Sequence, residues 1–277
     1  MIKYLLDTSG CLSREQHLIK VNYPSSEYQQ ISIENLETVL EGLDHYPTPV
    51  GSIEFVRNYL EIVGRVEPAP LNYLRYIKGT EAQSFVSLAS RYNVFSKYSV
   101  MNLFSYEKRN IWLTSYDSEI FRRLNEKQKL FIKPYKLKEF DPAVIDIGQQ
   151  PSEEIQKSEK IFLSDVVDFS SEYRFYVCDK QILGYSIYGE GDPQYVDIRF
   201  VEYIISEFKH YTYTHGHPVA YSVDIGIDKN GEHYLVELND GWSLGYYPWG
   251  TCSFGSYLRV INSRWDQILS GADTIWS

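Results

Sequence analysis

The sequence has no long hydrophobic run. Nothing in its 277 residues approaches the roughly 20 consecutive apolar positions of a membrane-spanning helix, and residues 1–20 lack the basic-then-apolar profile of a secretory signal. No membrane association is expected. Cysteine is scarce: Cys11, Cys178 and Cys252 are an odd number with no CxxC pair, which argues against a disulfide framework and points to reduced thiols in a cytoplasm. Basic residues are also in deficit. With 27 Lys and Arg against 37 Asp and Glu, the formal net charge of −10 argues against a broad nucleic-acid surface. An anionic small ligand is still admitted, because a few local cations and a metal neutralise phosphates. Internal repeats and low-complexity tracts are absent too. What remains is the ordinary balance of a globular protein, 43% hydrophobic and 23% charged, long enough for two compact units or one multi-lobed domain.

The most informative stretch runs from Ala220 to Gly241. Tyr221–Ile227 and His233–Leu238 alternate apolar and polar residues around Asp228-Lys-Asn-Gly231, a strong hairpin signal because Asn and Gly tolerate positive φ. Glu237 and Asn239 are two residues apart, so on a strand both leave the same face, and the hairpin brings Asp224 opposite them. A single strand carboxylate is ordinarily a solvated charge. Two carboxylates and an amide converging from one face form a hard oxygen cluster, which suits Mg²⁺ and suits zinc poorly.

The other elements alternate in kind. Residues 2–6 predict a strand and Ile33–Leu43 a helix of period 3.6, ended by Pro47 and Pro49. Ser52 is placed to cap a second helix whose stripe is Ile53, Val56, Leu60 and Val63. Helices are expected over 81–92, 119–127, 197–211 and 255–268. Extended segments are expected over 112–115, 129–134, 161–167, and a hairpin of 173–177 with 182–188. Segregated helices and antiparallel hairpins predict an α+β fold. The pair His215 and His217 lacks a third ligand nearby and reads as a turn.

Cations flank the acidic hairpin in the sequence. Lys133 ends the apolar strand Leu130-Phe-Ile132, and Lys138 follows in a short loop. Arg174 alternates with Tyr173 and Phe175, so it shares a strand face with Glu172 and Tyr176, away from the apolar one. Such a charge taken singly is an edge device. Beside a metal cluster, these cations are the composition needed to hold a triphosphate.

With the Phe-Ile-Lys-Pro, Glu-Tyr-Arg and Asp…Glu-x-Asn blocks in hand, the chain resembles the ATP-grasp superfamily over about residues 95–250. Within it, the chain looks like the clade named for two arginines and one lysine. The resemblance implies an ATP-grasp fold of two subdomains clamping a nucleotide, over 81–163 and 164–277, behind an N-terminal α/β lobe over 1–80. It further implies nucleotide contacts from Lys97, Lys133 and Lys138, and adenine held by the backbone of Asp165, Val166 and Val167. Glu172 takes the ribose, and Arg174 and Lys138 face the migrating phosphoryl group. Asp224, Glu237 and Asn239 hold the metal, Mg²⁺ (two ions, with Mn²⁺ as a substitute). Two departures stand out: no glycine lies between Tyr135 and Ala143, where many members have a glycine-rich flap, and Ser222 stands where some members carry an arginine two residues before the metal Asp. Arg174 is the candidate to supply that charge.

The activity implied is ATP-dependent ligation of a carboxylate to an amine (or thiol) through an acyl phosphate. Phosphoryl transfer needs alignment and electrostatic stabilisation rather than a protein nucleophile, which matches the residues present. The substrates implied are a small-molecule or peptide carboxylate and an amine. After Asp240, the loop Gly241–Gly250 is rich in glycine and aromatics and follows a metal ligand, so Trp242, Ser243 and Tyr246 are candidates for the acceptor pocket, with Tyr185, Tyr188 and Arg199 as weaker ones. The alternatives are a nucleotide-binding regulator without ligase activity and a small-molecule kinase.

Overall fold

The computed structural model describes residues 1–10, 13–65, 103, 106–114, 127, 129–135, 139–158, 160–189, 193, 195–212 and 218–270. Cys11, Lys97, Lys138, His215 and His217, the helix expected over 81–92, and all but Lys127 of the helix expected over 119–127 lie outside the described residues. Among the described residues, no helix is long and apolar enough to cross a membrane. Three sheets organise what is described.

The first sheet is parallel, in the order β2-β1-β3, from β1 (Tyr4–Asp7), β2 (Tyr28–Ile31) and β3 (Thr48–Val50). Its central strand is buried along its whole length, as a parallel strand covered on both faces must be. Helix α1 (Arg14–Asn22), absent from the sequence reading, starts at a reciprocal capping box: Ser13 accepts from the Gln16 N–H while the Gln16 side chain accepts from the Ser13 N–H. The helix expected over 33–43 is shorter, a 3₁₀ turn followed by α2 (Leu36–Glu41). Ser52 caps α3 (Ile53–Ile62) as expected, accepting from the Phe55 N–H at 3.1 Å.

The second sheet is antiparallel in the order β4-β7-β5-β6, from β4 (Ile111–Thr114), β5 (Lys129–Pro134), β6 (Ala143–Asp146) and β7 (Ile161–Ser164). Leu130, Ile132, Ile145, Ile161 and Leu163 form its core with Ile155 of the short helix α4 (Glu153–Lys157). The third sheet, β11-β10-β8-β9, comprises β8 (Phe169–Cys178), β9 (Gln181–Tyr188), β10 (Ala220–Asp228) and β11 (His233–Asp240). The turn between β8 and β9 uses Asp179 and Lys180 at φ +50 and +66, matching the right-handed strand twist.

The two faces of this third sheet have opposite fates. Tyr173, Phe175, Val177, Val223 and Ile225 pack on Val201, Ile204, Ile205 and Phe208 of α5 (Ile198–Thr212). On the other face, Tyr176, Cys178 and Ala220 meet α6 (Phe254–Leu269), whose stripe Tyr257, Ile261, Trp265 and Ile268 also packs on the first sheet. The N-terminal lobe and the C-terminal helix therefore share one core. Beyond the reach of α6, the same face turns polar, and there the functional candidates gather.

Candidate active site

Register builds the site. Across the third sheet, Ser186, Arg174, Asp224 and Glu237 stand side by side on β9, β8, β10 and β11, and Tyr176, Ser222 and Asn239 form the next row on the same face. The hairpin around Gly231 (φ +81) is as expected, but a bulge follows the Asp224–Glu237 pair, so that Ile225 meets Leu235 and Val236 is left over. Arg109, just ahead of β4, donates to the carbonyls of Leu235 and Val236 at 3.0 Å each, and so holds the bulge.

Asp224 is completely buried, and Arg174 nearly so. Arg174 Nε and Nη2 donate to Asp224 Oδ1 and Oδ2 at 3.0 and 2.7 Å, a forked, charge-assisted pair. Ser222 Oγ adds a bond to Oδ1 at 3.2 Å, and the Tyr188 hydroxyl one to Oδ2 at 3.3 Å. Burial disfavours the Arg174 cation, but the carboxylates of Asp224 and Glu237 outweigh it and hold the guanidinium firmly protonated. Glu237, half-buried, pairs with Lys133, which arrives from the second sheet, and lies 3.7 Å from Arg174 Nη2. Burial pushes the Glu237 carboxyl up, yet Lys133 and Arg174 prevail and bring it down to about 2. Glu172, one row away, is raised, first by burial and then by the Asp224 charge. Asn239 Nδ2 donates to Glu237 Oε1 at 2.8 Å and to Asp224 Oδ2 at 3.3 Å.

Asp224, Glu237, Asn239, Arg174 and Lys133 thus meet in one hydrogen-bonded cluster. The donor set fits a hard divalent cation: two carboxylates and an amide, without sulfur or imidazole. Glu237 and Asn239 are the members with exposed surface, whereas both oxygens of Asp224 are engaged by Arg174. Nη1 of Arg174 has no hydrogen-bond partner among the described residues.

Residues 165–168 leave the second sheet and enter the third. The strand expected to reach Val167 stops at Ser164, because Asp165 turns to Asn110: its N–H donates to the Asn110 carbonyl at 3.1 Å, and its carboxylate accepts from the Asn110 side chain at 2.7 Å. The N–H groups of Val166 and Val167 donate to no carbonyl among the described residues. The acceptor candidates have varied surroundings. Trp242 is buried against Trp265 in the core. Tyr185 lies on the α5 face with Tyr173 and Phe175, one residue out of phase with Arg174's side. Arg199 folds back on Asp197 and is 78% exposed. Tyr246 packs on Phe254 and Tyr257, while Ser243 is exposed. Two neighbours of the cluster escaped the sequence reading, Arg109 and Tyr247. Arg109 binds carbonyls freed by a bulge, which no residue pattern announces.

The family model for the ATP-grasp domain of the two-arginine, one-lysine clade, family 2, matches residues 106–255, more than half the chain and every strand of the cluster. The chain belongs to that clade of the ATP-grasp family. The fold agrees. D-alanine–D-alanine ligase from Bacillus anthracis, solved in complex with ATP, aligns over 98% of this chain and 100% of its own at 11% identity, with a TM-score of 0.52. Another structure of that enzyme aligns over 98% and 99% at 11% identity, with a TM-score of 0.53. The macrocyclase MdnC from Microcystis aeruginosa MRC, bound with the precursor peptide MdnA, is a weaker likeness: 10% identity over 94% and 99%, TM-score 0.47. No curated protein matches the chain. In this ATP-grasp chain, the second and third sheets are the α+β framework that the fold requires.

Proposed function

We propose that this ATP-grasp protein is an ATP-dependent ligase that joins a carboxylate to an amine. The observation that carries the reading is the row Arg174–Asp224–Glu237, met by Lys133 from the opposite sheet. Two cations from two sheets converge on two carboxylates, with the Nη1 edge of Arg174 left over to meet a phosphoryl oxygen. The reaction starts with the substrate carboxylate oxygen forming a bond to the γ-phosphorus as the bond to ADP breaks. The amine nitrogen then attacks the acyl carbon, inorganic phosphate leaves and the nitrogen loses a proton. No protein nucleophile is needed, since alignment and charge stabilisation suffice.

In this reading Arg174 and Lys133 stabilise the charge of the transferring phosphoryl group, together with Lys138, and Lys97 adds a nucleotide contact. Glu172 takes the ribose, and the backbone of 165–168 takes adenine. Glu237 and Asn239 would hold Mg²⁺, with Asp224 joining if Arg174 releases an oxygen; the ion supplies charge neutralisation between phosphates. The division into units of 1–80, 81–163 and 164–277 is part of the same proposal, and the three sheets support it.

Measuring ADP release across a panel of amino acids and peptides, with mass spectrometry of the products, tests the function. An amide with stoichiometric phosphate is expected. A phosphorylated product without amide would make the protein a kinase, and nucleotide binding without ADP release would make it a regulator. The adenine contact has its own test. Val167→Ala should change nucleotide affinity only modestly, while Val167→Pro, which removes the N–H, should weaken it by about tenfold or more with the circular dichroism unchanged. Equal affinities would put adenine elsewhere.

A further inference from the structure

Tyr247 sits in the loop between β11 and α6, and everything about its backbone is held from the sheet below. Its N–H donates to the Tyr176 hydroxyl at 3.3 Å, and its carbonyl accepts from Ser186 Oγ at 2.5 Å. The Tyr176 hydroxyl in turn donates to the Gly245 carbonyl at 3.0 Å. Farther on, the Ile187 N–H donates to the Trp249 carbonyl at 2.5 Å. Gly250 then takes φ +147, where a Cβ would lie 2.2 Å from the Tyr185 carbonyl oxygen. Only glycine lets the loop come this close.

The result is an aromatic corner around one guanidinium. Arg174 Cζ lies 5.3 Å from the Tyr247 ring centre and 5.6 Å from that of Tyr188, and the two rings stack at 5.3 Å and 19°. Tyr188 belongs to the sheet and binds Asp224 through its hydroxyl. Tyr247 comes from outside the sheet, and its hydroxyl has no hydrogen-bond partner among the described residues. The ring face is what it offers. A ring face attracts a cation more as water is excluded, and here Arg174 is buried and Tyr247 half-buried.

We propose that Tyr247 is a positioning residue for Arg174: its ring holds the guanidinium in the forked pair with Asp224 and thereby fixes the edge that remains for the phosphoryl group. The catalytic consequence rests on the ligase reading above; the contact itself does not. Tyr247→Leu, which keeps bulk without a π face, should lower kcat about tenfold with KM for ATP within twofold, and Tyr247→Phe should restore kcat. In an Arg174→Lys background the Tyr247→Leu loss should shrink below twofold, because coupled residues are not additive. An equal loss in both backgrounds, no loss, or a loss as large with Phe would overturn the proposal. A readout without turnover separates it from the ligase reading. In the full chain labelled with ¹⁵N-arginine, and with the Arg174 signal assigned from Arg174→Lys, Tyr247→Leu should shift the Nε–H resonance and speed its exchange about tenfold, while Tyr247→Phe should not. An unmoved resonance would overturn the proposal. A moved resonance in a protein that never releases ADP would overturn the ligase reading alone.

Discussion

Arg174→Lys should lower kcat for ATP turnover by roughly 10²-fold or more while leaving the affinity for an ATP analogue within about twofold. In the proposed site, Arg174 supplies the charge that some members of the family bring from two places before the Asp corresponding to Asp224. Here that place is Ser222, which instead donates to Asp224 Oδ1, and the arginine arrives from the neighbouring strand, directly opposite Asp224. A guanidinium grips both Asp224 oxygens with Nε and Nη2 and still has Nη1 to spare. An ammonium is a point donor without that fork, so the buried carboxylate and the phosphoryl oxygen compete for it. Lysine is the right probe because alanine would strand a fully buried carboxylate, at a cost of about 3–5 kcal/mol in stability. Equilibrium binding and steady-state rates on the same folded protein decide the matter. A loss confined to nucleotide binding would sink the role in phosphoryl transfer, and rates within about twofold would reduce Arg174 to a structural ion pair.

Glu237→Ala should abolish divalent-dependent ATP turnover and leave the fold intact. The carboxylate sits where the two sheets meet, half-buried, with Lys133 on one side and Asn239 on the other. Its removal deletes the charged oxygen donor with the most access and leaves Lys133, which is 34% exposed, to be solvated. The fold should therefore tolerate the change, unlike the loss of either member of the buried Arg264–Asp240 pair. Turnover across a Mg²⁺ titration, with circular dichroism as the control for folding, gives the answer. A folded Glu237→Ala variant with undiminished turnover would remove the core of the proposed site.

Strand alternation and the Asn-Gly turn made most of the third sheet readable in advance, because a period of two and a demand for positive φ are local properties of the chain. The side shared by Arg174, Glu172 and Tyr176 followed from the same parity, as did the common face of Glu237 and Asn239. Short parallel strands were harder. Thr48–Val50 contains Pro49 and lies on an edge, so nothing in its own composition marks it as a strand until β1 is beside it. Parity also limited the loop residues, since Trp242, Tyr246 and Tyr247 look alike in an aromatic-rich stretch that has no period.

By itself, then, the sequence determined the α+β class, the hairpin and the type of chemistry its side chains suit, all of which depend on neighbours a few residues away. Only the tertiary structure decided which charges touch. Strand register set Arg174 against Asp224, the packing of two sheets delivered Lys133 to Glu237, and α6 covered one end of the face while leaving the other polar. A bulge supplied the carbonyls that Arg109 binds, and a glycine at φ +147 let the loop lay Tyr247 beside Arg174. These contacts join residues up to 127 positions apart, and their partners are chosen by the geometry of the assembled sheets, which no local pattern of residue types encodes.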